Sequence, residues 1–357
     1  MFSATAPKDT TTSMTGVPGS AQLDWANLGF EYRPTKSHVK LVFKDGKWGP
    51  PELVNEPYVR IHIGATALHY GQACFEGLKA FCHADNSVHL FRVDENAKRM
   101  QSSCQRIMMA ELPSDLFIDA VRKVVQDNID YVPPYGSNGS LYIRPLLFGS
   151  GPRVGLQPAD EYTFICLVTP VGDYYKGGLG QPVSSLIISD YDRAAPRGVG
   201  NVKVAGNYAA DLLPNMLSKK KGYPISLYLD AKTQTLIEEF STSNFVGIRD
   251  NTFITPSSSS VLPSITNKSL MQIAKDMGMT VEERDVHVSE LATMSEVLAV
   301  GTAVVVTPVG KVTTADGTVY EFGNNEEIGP ITRRLYDQVR AIQNGESADI
   351  HGWNQKV

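Results

Sequence analysis

Cysteine is scarce in this 357-residue sequence, and no two cysteines stand close together. Cys74, Cys82, Cys104 and Cys166 fall in no CxxC or zinc-ligand spacing, so reduced, partly buried thiols of a cytosolic-type protein are expected. Histidine is thin as well. The seven are scattered, and His62 and His69 have no carboxylate set beside them, so no metal site is expected. No apolar run approaches the roughly 20 residues of a membrane span, which argues against a membrane protein. An excess of basic charge is also missing. The formal net charge of −5 argues against a nucleic-acid binder, which needs a basic stripe. The single basic run, Lys219-Lys220-Lys221, closes a predicted helix before Gly222, where cations complement the helix dipole and face water. The first 24 residues lack arginine and an apolar segment, unlike a signal peptide or an Arg-rich transit peptide. They read as a flexible arm (1–24) of a cytoplasmic protein, with a mitochondrial location as the alternative.

What is present is an ordinary globular balance, 42% hydrophobic and 20% charged. The length predicts two domains. A helix is predicted over 94–109, with Asp94 as N-cap and Ala97, Met100, Cys104 and Ile107 at helical spacing. A second is predicted over 115–130, carrying Phe117, Val121, Val124 and Val125. Val88 to Phe91, Leu141 to Phe148 and Tyr162 to Thr169 read as strands. At Lys176 to Pro182, KGGLGQP, the composition shifts to that of a linker. Beyond it, short strands (Ser185 to Ile188, Ser226 to Leu229, Phe245 to Ile248, Glu296 to Val300) are separated by helices. Those helices run from about Asn207 to Lys221, from Thr266 to Met277, and from Gly329-Pro330 onward. Pro214 should kink or shorten the first of them. The expected class is α+β: a small domain over 25–176, a linker over 177–182 and a larger domain over 183–357.

Four features can carry chemistry. Lys203, at a predicted strand end in GNVKVAGN, is flanked by small residues that let a flat ligand approach. A lysine amine with lowered pKa forms a Schiff base with an aldehyde, and a solvated surface lysine is the bland alternative. Glu238-Glu239, before FSTSNF, offers a carboxylate that holds a pyridine nitrogen protonated, or simply caps a turn. Arg144 lies mid-strand in SLYIRPLLF with Tyr142 on its face. It needs either a structural ion pair or a substrate carboxylate. Leu262-Pro263-Ser264-Ile265-Thr266 and Gly301-Thr302-Ala303 suit phosphate binding, with Arg92 as cation, although ordinary helix caps explain the first segment equally well.

HYGQACFEGLKAF, LFR, LYIRP, GNVKVAGNY, IEEFSTSNF, LPSIT and GTA follow one another from about Asp24 to the last helix. In that order they resemble the branched-chain aminotransferases, fold-type-IV enzymes that use pyridoxal 5'-phosphate. The resemblance implies a barrel-like, antiparallel-rich sheet in the larger domain and a homodimer. It also implies amino transfer between L-leucine, L-isoleucine or L-valine and 2-oxoglutarate, with L-glutamate as the other amino acid. Lys203 would bond the cofactor and shuttle the α-proton. Glu239 would pair with the ring nitrogen, Tyr208 with the phenolic oxygen. Arg92, Ile265, Thr266 and Thr302 would hold the phosphate, with Leu262 and Thr242 on either side of the ring. Phe30, Tyr70, Phe75, Tyr142 and Tyr174 would line the substrate pocket, Arg144 would meet a distal carboxylate and Ala303 the α-carboxylate.

Two features depart from relatives. Val304 and Thr307 stand where some carry a redox-active CxxC, so no thiol switch is expected, and the loop Gly151 to Leu156 holds Arg153. The rivals are a D-amino acid or amine transaminase, a lyase of the same fold, and a non-catalytic binding protein.

Overall fold

The strand Ser140–Gly149 lies at the centre of the first sheet, which grows outward from it. In this computed structural model, which describes residues 16–172, 179–323 and 327–357, it pairs with Tyr162–Val171 along its full length. On its other edge it pairs first with Leu78–Cys82 and then with Ala73–Phe75. Glu76 and Gly77 lie between these two short strands, and Glu76 N–H still donates to the Pro145 carbonyl at 2.8 Å. Val88–Phe91 continues that side, while His38–Lys44 continues the other, beyond Tyr162–Val171. Every pairing of this sheet among the described residues is antiparallel. Helices Val93–Arg106 and Ser114–Asp127 cover one face, where Met100, Phe117, Val121 and Val124 join Leu78, Leu90, Leu141 and Phe164 in one core. Each such side chain contributes about 1.5–3 kcal/mol on burial.

The second sheet closes on itself. Ile237–Phe240, Ile225–Leu229, Val183–Ile188, Val305–Thr313, Glu296–Gly301 and Asn244–Arg249 form a six-strand ring. The ring is sealed by a single pair, Glu239 opposite Asn244. Thr252–Pro256 and Thr280–Arg284 extend it outside the ring. Two of the ring's pairings are parallel, both made by Val183–Ile188, so the barrel is mixed. The final strand, Asn354–Lys356, returns to the first sheet and pairs with Val88–Phe91. The tail of the 183–357 segment therefore completes the other sheet, which neither period nor composition foretold. The linker read at 177–182 lies partly outside the described residues.

The predicted helices appear with small shifts. Arg92 in left-handed backbone, not Asp94, precedes the Val93–Arg106 helix, and Asp94 supplies negative charge to its first turn. Ala205–Lys220 runs through Pro214 without ending there. The last helix, Pro330–Gln343, begins on a buried carboxylate: Glu296 accepts from the Ile331 and Thr332 N–H groups at 3.0 and 2.7 Å. That satisfies the two N–H groups that follow Pro330, which has none of its own. Among the described residues no helix is long and apolar enough to cross a membrane.

Candidate active site

A cavity of about 370 Å³ is lined from both sheets, within the roughly 300–1,000 Å³ usual for small-molecule sites. Lys203 projects into it from a turn, not from the strand end expected. The backbone there is pinned from three directions. Lys203 N–H donates to Ser103 Oγ at 3.0 Å, its carbonyl accepts from Phe75 N–H at 3.1 Å, and Val204 bridges to Cys74. The approach to the turn is held by Asn207, whose amide donates to the Val199 and Val202 carbonyls. The Lys203 amine donates to the Tyr208 hydroxyl at 2.7 Å and lies 4.7 Å from the Phe75 ring centroid. Burial pulls its pKa down to about 8, and the Arg99 guanidinium pushes the same way. Burial raises the Tyr208 phenol, which therefore stays protonated. A lysine in this state has an appreciable neutral fraction near neutral pH, as a nucleophile needs.

Glu239 enters the cavity from the barrel seam. Its Oε2 accepts from Asn244 Nδ2 at 2.8 Å, and its Oε1 accepts from Leu262 N–H at 3.2 Å and sits 2.8 Å from an Arg193 guanidinium nitrogen. Burial raises its carboxyl above the ordinary range, and Arg193 is the strongest influence opposing that rise. Glu238, one residue earlier on the strand, faces elsewhere: its Oε1 accepts from the Ser258 and Ser260 hydroxyls. The two-residue period of the strand thus separates the two acids.

The first sheet contributes aromatic walls and cations. Phe30 and Tyr142 meet edge to face at 5.1 Å, and Arg144 donates to the Tyr142 hydroxyl at 2.9 Å. The Arg144 guanidinium lies over the Phe75 ring at 4.9 Å, its Nε is buried without a partner, and no ion pair to it occurs among the described residues. Gly77 lines the same wall because a Cβ there would run into the Tyr142 hydroxyl. Arg99 reaches the cavity from the inner face of its helix. It is held bidentate by fully buried Glu76 at 2.8 and 2.7 Å and donates to the Pro263 carbonyl at 3.0 Å. Burial weakens the Arg99 charge, but Glu76 outweighs burial and holds the guanidinium firmly protonated.

Most of the residues singled out in the sequence meet here. Lys203, Tyr208, Glu239, Thr242, Leu262, Thr302, Phe30, Phe75, Tyr142, Arg144 and Ala303 all line the cavity. Ile265 and Thr266, at the start of the helix Ile265–Asp276, border a small adjoining space with Thr302. Tyr70 does not reach the cavity; it is exposed and donates to the Val154 carbonyl. Tyr174 lies outside the described residues.

Arg92, expected beside the phosphate, does not line the cavity: its guanidinium donates to Ser269 Oγ at 2.9 Å and lies over the Trp353 ring at 5.0 Å, whereas Arg99 does line it. Arg99 and Arg193 were missed. A signal existed for Arg99: Asn96, Arg99 and Ser103 form a polar stripe at helical spacing along an otherwise core-facing side. None existed for Arg193, whose DRAAP context reads as a loop.

Comparison with known proteins points to one family. The amino-transferase class IV profile matches residues 73–312, a span reaching from the Ala73–Phe75 strand into Val305–Thr313. The chain is 48% identical over 342 residues to the branched-chain-amino-acid aminotransferase of Haemophilus influenzae, covering 94% of this chain and 99% of that one. To its counterpart in Helicobacter pylori it is 44% identical over 339 residues, covering 94% and 98% of the two chains. It superposes on the Escherichia coli branched-chain amino acid aminotransferase with a TM-score of 0.73 at 27% identity, covering 90% and 99% of the two chains.

Proposed function

The chain belongs to the amino-transferase class IV family, and we propose that it moves the amino group of L-leucine, L-isoleucine or L-valine to 2-oxoglutarate using pyridoxal 5'-phosphate. One observation carries the reading. Lys203, Glu239 and an Arg144 without an ion-pair partner among the described residues share a cavity walled by Phe30, Phe75 and Tyr142.

The residues present fit the cofactor. The lysine is buried and its amine is partly neutral, a buried carboxylate stands at the barrel seam, and the free N–H groups of a helix start lie beside Thr302. When bound, pyridoxal 5'-phosphate supplies an aldehyde that carries the amino group between two substrates and a ring that withdraws electrons from the α-carbon. Lys203 would hold the aldehyde through its amine and supply the group that moves the α-proton. Tyr208 steadies the Lys203 amine by its hydroxyl, and Glu239 would hold the ring nitrogen. Arg99, Thr302 and the Ile265 and Thr266 backbone would hold the phosphate. The aromatic wall takes an aliphatic side chain, worth about 1.5–3 kcal/mol for a leucine-sized group. Arg144 with Tyr142 takes the distal carboxylate of glutamate, and the Ala303 backbone the α-carboxylate.

A homodimer belongs to the same reading. Tyr70, Val154 and Leu156 stand exposed on linked segments near one another, in keeping with a loop that reaches a neighbouring subunit's site. The test is the absorbance of the cofactor-loaded protein on adding L-leucine without any oxo acid. Loss of the visible cofactor band, restored by 2-oxoglutarate, is expected. A band untouched by L-leucine and bleached by D-alanine or a simple amine would overturn the substrate assignment.

A further inference from the structure

Arg193 has no place in the roles above, yet it is the charged group in closest contact with Glu239. Its side chain is 8% exposed, and one guanidinium nitrogen lies 2.8 Å from Glu239 Oε1. The same nitrogen donates to the Ser260 carbonyl and approaches the Gly200 carbonyl at 3.5 Å. Space is reserved for it: a Cβ on Gly200 would stand 2.7 Å from that nitrogen. The charged groups that bear on Glu239 are Arg193 and Lys203, with the Tyr208 phenol alongside. Lys203 gives up its charge easily, whereas a guanidinium does not. A permanent cation is therefore the partner that can keep a buried carboxylate ionised whatever Lys203 is doing.

We propose that Arg193 is a positioning residue that keeps Glu239 ionised and oriented, and so sets the charge Glu239 presents to the cofactor's ring nitrogen. This rests on the role given to Glu239 above. Arg193 takes one oxygen, Oε1, together with Leu262 N–H, while Oε2 is steadied by one amide hydrogen from Asn244 and retains lone-pair capacity. Without Arg193 the desolvated carboxyl would take up a proton, and a neutral acid cannot hold the ring nitrogen protonated. A merely structural alternative exists, in which Arg193 staples its loop to the Ser260 segment.

The experiment compares wild type, R193Q, R193K, E239Q and R193Q/E239Q, all loaded with pyridoxal 5'-phosphate. It reads the pH midpoint of the visible band, the cofactor dissociation constant, the melting temperature, and kcat and KM separately. R193Q is expected to lower kcat about 10–100-fold, the scale of outer positioning partners, with KM for L-leucine changed less than about threefold. It should also shift the pH midpoint of the band. R193K, which keeps the charge, recovers part of both effects. In the E239Q background the R193Q change adds little. If R193Q only lowers the melting temperature, or acts equally strongly on E239Q, Arg193 is a staple and the proposal fails while the role of Glu239 stands. If E239Q itself leaves the band and kcat unchanged, both readings fail together.

Discussion

Two buried glutamate–arginine pairs border the cavity, one from each sheet, and they are built in opposite ways. Glu76 and Arg99 form a closed fork, two nitrogens on two oxygens, with Asn96 adding a third bond at 2.7 Å. Glu76 does not itself line the cavity, so what this pair presents to a ligand is a cation. Arg193 and Glu239 meet through one nitrogen and one oxygen, and both line the cavity. What this pair presents is a carboxylate. The same two residue types thus yield opposite tools, and geometry decides which partner is support and which faces the ligand.

The comparison can be broken at several points. The largest effect should come from the amine that both pairs influence: Lys203→Ala should lose about 10⁴-fold or more in transamination, with a melting temperature showing that it still folds. Next, Glu76→Ala leaves Arg99 buried and unpaired, and should cost about 3–5 kcal/mol in denaturant unfolding, besides weakening cofactor binding. Glu239→Gln is the contrasting case. It should fold, yet turn over about 10²–10³-fold more slowly, since the open pair serves charge presentation. If the two variants gave the same division between stability and turnover, the distinction between closed and open pairs would be wrong.

Smaller effects sharpen the picture. Arg144→Gln should raise KM for 2-oxoglutarate about 10–100-fold, the cost of one charge-assisted bond, while KM for L-leucine moves less. The pH dependence of cofactor capture follows from Lys203. Its amine is protonated and unreactive below its pKa of about 8, so capture by the cofactor-free protein should speed up as pH rises and level off above that value. The sign for stability is the same: between about 8 and the ordinary lysine pKa the unfolded chain binds the extra proton, so Lys203 favours the folded state more as pH rises. The smallest effect belongs to Arg92→Gln, about 1 kcal/mol or less in stability and no change in cofactor affinity, because its guanidinium sits on Trp353. Arg99→Gln, by contrast, should reduce that affinity at least about tenfold.

Much of this was legible from residues alone. Strand Val88–Phe91 appears with its predicted bounds, and Glu296 opens its strand as expected, because β-branched runs between turn residues have few alternatives. Lys203 and Arg144 stood out because each places a charge where its neighbours are apolar or small, and Glu239 because an acidic pair leads into the FSTSNF turn. What stayed hidden depends on long-range pairing. The return of Asn354–Lys356 to the first sheet has no local cause. Arg92 and Arg99 share one stretch, and only the left-handed turn at Arg92 and the pull of Trp353 decide which of them faces inward. Arg193 acquires meaning only when its loop is laid beside the barrel seam.

That seam has a consequence for motion. The barrel is sealed by one residue pair, and the same pair, Glu239 and Asn244, forms part of the cavity lining. A ring held shut at one point opens there first, so in the cofactor-free protein the amide hydrogens at the Glu239–Asn244 closure should exchange through small local openings. A ligand bound at 100 times its dissociation constant deepens the folded state by about 2.7 kcal/mol, and at this seam the gain falls on the ring's weakest latch. Filling the site would thus also be felt along the barrel wall as slower breathing.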